Sequence, residues 1–319
     1  MSVRATTARI RALLLGLTGF TVLAAATGCA GGVEDRPRVV VTTNILGDIT
    51  REIVGDEADV SVLMKPGADP HSFGLSAVQA AELESADLVV HNGLGLEENV
   101  LRHVETARES GVPTFAAGEA VDPLTFHAGD DGGAADEAGK ADPHFWTDPD
   151  RVRKAVGLIA DRVVEHVEGV SEKAVRDNAE RYEGRLADLT AWMETSFARV
   201  PEDRRALVTN HHVFGYLAER FGFRVVGAVI PSGTTLASPS SSDLRSLTRA
   251  MEDAGVRTVF ADSSRPTRLA DVLRHETGGD VDVVPLYSES LTEKGKGAGT
   301  YLEMMRANTT AMAESLARD

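Results

Sequence analysis

A chain of 319 residues has room for two domains with sizeable cores. Its 49 acidic side chains outnumber 33 basic ones, and the resulting net charge of −16 argues against a nucleic-acid partner and for either a cationic ligand or simple solubility. Cys29 is the only cysteine, which rules out an intrachain disulfide, and no stretch beyond it is long and apolar enough to span a membrane.

Arg4, Arg9 and Arg11 precede a run of apolar and small residues from Ala12 to Thr27. That pattern reads as a signal peptide over residues 1–28, since the run is too short for a spanning helix. Its end, Ala26-Thr27-Gly28-Cys29, resembles a bacterial lipoprotein processing site. Cys29 would then carry a lipid on its sulfur, with residues 29–37 as a short lipidated tether.

From residue 38 the pattern alternates. Arg38 to Thr43 reads as a buried strand and Ile45 to Val54 as a helix. Val60 to Met64 is the next strand, running into a loop that carries Asp69-Pro70-His71. Ser76 can cap a helix through Glu84, Asp87 to His91 is a strand, Leu96 to Ser110 is helical, and Val112 to Phe115 closes the series. Strands alternating with helices imply a mostly parallel sheet flanked by helices on both faces, an N-terminal α/β lobe over 38–170. His71 lies just past a strand's carboxyl end, where open α/β sheets place their ligands. Residues 119–141, rich in Gly, Ala, Asp and Glu and carrying His127, have no periodicity and read as an acidic flexible loop.

A second Asp-Pro-His follows at once, in Asp142-Pro143-His144-Phe145-Trp146-Thr147-Asp148-Pro149. Pro143 fixes one torsion and restrains Asp142, so His144 is presented in a defined direction. Asp148 is a natural N-cap, with Pro149 as the first helical residue. Val152, Val156, Ile159, Val163 and Val167 follow one helix face. Residues 171–199 form a longer helical pattern whose Tyr182, Leu186, Leu189, Met193 and Phe197 read as packing rather than cofactor contacts. At 1.5 Å per residue that helix spans about 40 Å, a stiff connection to a second α/β lobe over 200–319.

In the second half, Arg205 to Thr209 is a strand ending at Asn210-His211-His212, followed by a helix through Arg220. Strands over Phe223 to Ile230 and Val256 to Phe260 flank a helix from Ser242 to Ala254. Pro266 to Thr277 reads as helical and Val281 to Pro285 as extended. The loop Leu286-Tyr287-Ser288-Glu289-Ser290-Leu291 precedes a last helix from about Thr300.

A lone histidine is ordinarily a surface or core residue, and a glutamate a solvated charge. Two copies of Asp-Pro-His between secondary elements, with His211 and Glu289 also at sheet ends, single these side chains out. His71 and His144 from one half with His211 and Glu289 from the other would make a four-coordinate nitrogen and oxygen site in the cleft. That set suits Zn²⁺, with Mn²⁺ the rival because a carboxylate adds hard character. A catalytic zinc keeps one position open for water, whereas these four residues fill the shell. Asp69 and Asp142 stand two residues before a histidine each, placed either to support it or to initiate a turn. No GxSxG, HExxH, Walker or dinucleotide-binding glycine pattern occurs. Binding requires neutral imidazoles, so acid is expected to abolish it as they protonate.

On these motifs the chain resembles the zinc/manganese solute-binding lipoproteins of bacterial ABC importers, the cluster A-I type, over essentially residues 38–319. The residues that carry the likeness are Gly67-Ala68-Asp69-Pro70-His71, the segment from Asp142 to Pro149, His211-His212-Val213-Phe214-Gly215-Tyr216-Leu217, Tyr287-Ser288-Glu289-Ser290-Leu291 and Gly299 to Asn308. The resemblance implies two α/β lobes, each with a mostly parallel sheet, joined by a long rigid helix with the metal in the interlobe cleft. It implies His71, His144, His211 and an acidic residue at Glu289 as ligands; members usually have aspartate at the last position. It further implies a monomer outside the cytoplasm, lipid-anchored to the bacterial cell membrane. Such a protein catalyses nothing and passes its ion to a membrane permease driven by a cytoplasmic ATPase. Histidine at 211 resembles the zinc-binding and mixed members, while the acidic loop with its lone His127 departs from the histidine-rich loop of dedicated zinc members. Zn²⁺ is therefore the expected cargo and Mn²⁺ the alternative. Competing readings are a surface adhesion lipoprotein, an extracytoplasmic zinc hydrolase and a binder of an organic ligand.

Overall fold

The computed structural model describes residues 36–126, 138–264, 272–274 and 281–318. Cys29, His127 and most of the helix expected over 266–277 lie outside the described residues. The order of elements begins β1 (Arg38–Val41), α1 (Asn44–Val54), β2 (Asp59–Val62), α2 (Ala77–Glu84), β3 (Leu88–His91), α3 (Glu98–Glu109), β4 (Thr114–Ala116). Two long helices follow, α4 (Pro149–His166) and α5 (Glu172–Phe197). The second half runs β5 (Ala206–Thr209), α6 (Gly215–Phe221), β6 (Arg224–Ala228), α7 (Ser241–Ala254), β7 (Thr258–Asp262), β8 (Asp282–Leu286), α8 (Tyr301–Arg318).

Each half is an α/β lobe built on a four-stranded, all-parallel sheet, with strand orders β2-β1-β3-β4 and β6-β5-β7-β8. The two orders are equivalent. In each, the chain starts in an inner strand, steps to one edge and then crosses to the other side, which creates a switch point beside that first strand.

Alternation along the strands decides which core each side chain enters. Val39, Val41, Leu88 and Val90 face one hydrophobic cluster, while Val40 and Val89 face another with Leu83, Val100 and Val104. In the second lobe Leu207 and Phe260 enter the first cluster, and Ala206, Val208, Val259 and Ala261 enter a third with Leu247 and Met251. One cluster thus runs without a break through both lobes, carried by α4, α5 and α8. The lobes are joined by helices whose apolar stripes are part of both interiors. Tyr182, Leu186, Leu189, Met193 and Phe197 all lie in that stripe. The helix α5 packs on α4, α1 and α8, so the connection is a bundle rather than a lone rod.

Local chemistry sets most boundaries. Ser76 and Gln79 form a capping box at the start of α2, and Asp148 caps α4 ahead of Pro149. Ser240 and Asp243 form a second capping box at α7, which ends on the left-handed Gly255. The third helix begins at Glu98, two residues later than periodicity suggests. The reason is Glu97, whose buried carboxyl accepts the N–H groups of Asn92 and Gly93 and the hydroxyl of Thr42, and so closes a turn instead of starting a helix. The acidic segment also has more order at its base than its composition suggests. Phe126 N–H donates to the Lys140 carbonyl, Gly139 N–H to that of Phe126, and Asp142 N–H to that of Leu124, around a Thr125–Ala141 antiparallel bridge.

Candidate metal centre

The two Asp-Pro-His segments are built alike. Asp69 Oδ1 accepts the N–H of His71 at 2.9 Å, and Asp142 Oδ1 accepts the N–H of His144 at 2.9 Å. Each is an aspartate-initiated turn whose middle proline is already restricted to the torsion the turn needs. The aspartates then do more. Asp142 Oδ1 also lies 2.7 Å from His144 Nδ1, which holds the proton on that nitrogen and turns the Nε2 lone pair inward. Asp69 Oδ2 accepts the Thr235 hydroxyl at 2.6 Å, linking the His71 loop to the opposite lobe.

His211 stands directly beyond β5, beside the switch point of its sheet, with the Thr209 hydroxyl donating to its carbonyl at 2.7 Å. Glu289 follows β8 on a loop fixed on both sides. The indole N–H of Trp146 donates to the Ser288 carbonyl at 2.9 Å, and the Ser288 hydroxyl donates to the Asp262 carboxylate. Leu291 N–H donates to Asn44 Oδ1 at 2.9 Å.

All four side chains that the sequence singles out meet. Their ligand atoms lie within 4.8 Å of one another, and among the described residues this is the one group of three or more such side chains able to hold a metal ion. His144 Nε2 is 3.4 Å from His71 Nε2, and Glu289 Oε1 is 3.0 Å from His211 Nε2 and 3.7 Å from His144 Nε2. Glu289 Oε2 lies 3.7 Å from His71 Nε2. His212 is outside the group: its ring packs on Phe126 and its N–H donates to the Ser232 carbonyl at 3.0 Å.

The group is almost wholly buried. His144 and His211 are 0 % exposed and Glu289 1 %, while His71, at 3 %, borders a cleft of about 550 Å³ lined also by Leu94, Phe126, Lys140 and Leu236. His71 is thus the member nearest solvent. Burial pushes His71 down to about 4 and His144 to about 3, so both are neutral lone-pair donors at neutral pH. Burial pushes the Glu289 carboxyl up to about 7, against the opposing pull of the His144 and His71 rings. This changes the expected acid response: the carboxyl, not these two imidazoles, titrates nearest neutrality.

Neither Glu289 oxygen receives a hydrogen bond among the described residues, although both are buried. A carboxylate left so is costly unless a cation compensates it. Three imidazole nitrogens and one carboxylate oxygen converging on such a point fit a divalent transition metal.

Several supporting residues act through bonds that the sequence does not announce. Asn44 and Thr235 act across the lobes, Tyr301 donates its hydroxyl to the Trp146 carbonyl at 2.7 Å, and Tyr216 donates to the Asp142 carbonyl at 2.6 Å. Trp146, Tyr216 and Tyr301 stand in motifs that carry the family likeness, but nothing in those motifs names the bonds they make.

The same architecture occurs in known proteins. The chain is 28 % identical over 311 residues to the zinc-binding protein TroA of Treponema pallidum, covering 96 % of this chain and 97 % of that one. It is 30 % identical over 304 residues to the manganese-binding lipoprotein MntA of Bacillus subtilis, covering 92 % and 95 %. The solved structure of the periplasmic zinc-binding protein TroA superposes with a TM-score of 0.78 at 25 % identity, over 88 % of this chain and 99 % of the other. A Mn-bound periplasmic metal-binding protein from Candidatus Liberibacter asiaticus shares the fold with a TM-score of 0.76. The family model described as zinc-uptake complex component A, periplasmic, matches residues 39–315, nearly the whole described chain, and the protein belongs to that family.

Proposed function

We infer that His71, His144, His211 and Glu289 are the ligands of a single Zn²⁺ ion, which the protein captures outside the cytoplasm and delivers to the permease of an ABC importer. The observation that carries this reading is the spacing of the donor atoms. Zinc bonds of about 2.0–2.1 Å arranged tetrahedrally place neighbouring ligands about 3.4 Å apart. The separations of 3.0, 3.4, 3.7 and 3.7 Å lie about that edge, and the whole set of donor atoms lies within 4.8 Å. The names of the two relatives divide between zinc and manganese, so the donor set decides. Three imidazoles with one carboxylate in a four-cornered shell suit Zn²⁺ better than Mn²⁺, which favours more oxygens.

A shell filled by protein leaves no position for an attacking water, consistent with an uptake component and not an enzyme. Membership of the family implies a cognate permease with its ATPase and a transition-metal ion as partners. The finer assignments follow the sequence: a signal peptide over 1–28, lipid on Cys29, a tether over 29–37, lobes over 38–170 and 200–319 with a connecting helix over 171–199, and a monomer at the outer face of the membrane.

The test is elemental analysis of the purified protein with Zn²⁺ and Mn²⁺ competition, repeated with Glu289→Ala. Nitrogen-rich sites prefer Zn²⁺ in raw affinity whatever their biological cargo. Competition is therefore paired with the absorption spectrum of the Co²⁺ form, whose intensity distinguishes four-coordinate from six-coordinate geometry. One zinc per chain with a tetrahedral Co²⁺ spectrum supports the reading. A six-coordinate spectrum with Mn²⁺ retained against Zn²⁺ overturns it.

A further inference from the structure

Asn44 occupies an unusual place for a buried amide. It is the first residue of α1, in the N-terminal lobe, and is 6 % exposed, yet its partners come from both ends of the chain. Its Nδ2 donates to Ser290 Oγ at 2.7 Å and to the Lys65 carbonyl at 3.2 Å. Its Oδ1 accepts from Leu291 N at 2.9 Å. The backbone donor at Leu291 fixes which end of the amide is oxygen, so the orientation is not ambiguous. Beside it, Gly67 N–H donates to the Leu291 carbonyl at 3.0 Å. The loop after β8 is thereby stitched to α1 and to the loop that carries His71, across a sequence separation of 246 residues.

We propose that Asn44 is a positioning residue for the metal site, a latch that holds the Glu289 loop of one lobe against the other and so sets how long the ion is retained. This inference rests on Glu289 being a ligand. The reasoning is geometric. Glu289 hangs between Ser288 and Ser290; Ser288 is held by Trp146 and Asp262, and Ser290 and Leu291 are held by Asn44. Among the described residues the carboxylate itself has no hydrogen bond to steady it. Its position therefore depends on these anchors, and Asn44 supplies two of the bonds from a helix end stiffened by packing of Ile45, Leu46 and Ile49 in the shared core. An amide suits the task because it serves one donor and two acceptors without adding charge beside the ion. Aspartate would keep the bond from Leu291 but set a carboxylate against the Lys65 carbonyl.

The experiment compares the whole protein with Asn44→Ala, Glu289→Ala and the double variant. Three quantities are measured: Zn²⁺ affinity by chelator competition, Zn²⁺ release into excess EDTA by stopped flow, and the absorption of the Co²⁺ form. Wild-type protein that binds neither ion defeats the functional reading itself. With wild-type binding intact, Asn44→Ala is expected to speed release about 10–100-fold, the range for residues that orient ligands. It should also move the Co²⁺ spectrum toward that of Glu289→Ala, and add little when Glu289 is already absent. A lowered melting temperature with unchanged Co²⁺ spectrum and release, or effects that simply add in the double variant, overturns the latch. Ser290→Ala, which removes the 2.7 Å bond from Asn44 together with the hydroxyl's own long bond of 3.3 Å to the Leu291 carbonyl, decides the matter should Asn44→Ala not fold. Faster release in that variant supports the proposal, and wild-type release opposes it.

Discussion

Acid titration separates the role of the carboxyl from that of the imidazoles. In the metal-free fold Glu289 sits at about 7, so below that pH it is protonated and must lose its proton before it can bind an ion. His71 and His144 sit at about 4 and 3 and are already neutral. Affinity should accordingly fall as pH drops through 7, with a slope of one decade per unit from Glu289 and up to one more from Asp142, whose buried carboxyl beside His144 is also pushed up to about 7. Between pH 7.5 and 5 the competing proton on Glu289 weakens binding about 80-fold, or about 2.6 kcal/mol. Were His71 and His144 to titrate at the ordinary imidazole value of about 6.5, they alone would weaken binding roughly a thousandfold over that range. Competition against a chelator of known proton constants measures the slope. Calorimetry in two buffers of different ionisation enthalpy counts the protons released, of which Glu289 contributes about 0.9 per ion at pH 6 and about 0.1 at pH 8. In Glu289→Gln both signals should shrink to the share of Asp142. A flat profile in the wild type, or a slope that persists when Glu289→Gln is combined with Asp142→Asn, would refute the argument that burial suppresses the imidazoles and raises the carboxyls.

Removal of the Glu289 carboxylate by Glu289→Ala should weaken Zn²⁺ binding by at least 100-fold at pH 8 while the chain stays folded, since it deletes one donor and an uncompensated buried charge; circular dichroism and competition titration read the two effects separately. Asp142→Asn should cost about 10–100-fold in affinity, because the carboxylate that orients His144 through its Nδ1 loses its charge with its shape unchanged. Phe197, at the end of α5, packs on Phe221 and Phe223 with ring centroids 5.2 and 4.9 Å away. Phe197→Ala should therefore destabilise the fold by about 3–5 kcal/mol in denaturant titration, yet leave metal stoichiometry at one. Equal loss of stability in Trp192→Ala, whose ring is only half-buried under Arg306, would point away from this junction as the critical one.

What the chain spells out locally, it spells out well. Ser76, Asp148, Ser171 and Ser240 each start a helix through bonds to residues two or three positions away, so their effect is readable from neighbours. The twin Asp-Pro-His turns are equally local, since the aspartate binds a backbone group two residues on and the proline restricts the rest. The alternation of Val39, Val40 and Val41 with helical stripes suffices for parallel α/β lobes. The chain alone thus determined the elements and nominated His71, His144, His211 and Glu289.

Tertiary structure decided what happens between them. Convergence of four side chains within 4.8 Å depends on the order of strands in two sheets, which places each loop at the right sheet end, and no periodicity encodes that order. The hydrogen bonds of Asn44 to Ser290 and of Thr235 to Asp69 join residues 246 and 166 positions apart, so nothing adjacent in sequence announces them. The single core shared by both lobes through α4, α5 and α8 is likewise a property of assembled surfaces. Titration belongs to the same class: an imidazole at about 3 and a carboxyl at about 7 reflect lost water and close neighbours, and those exist only once the chain has closed around them.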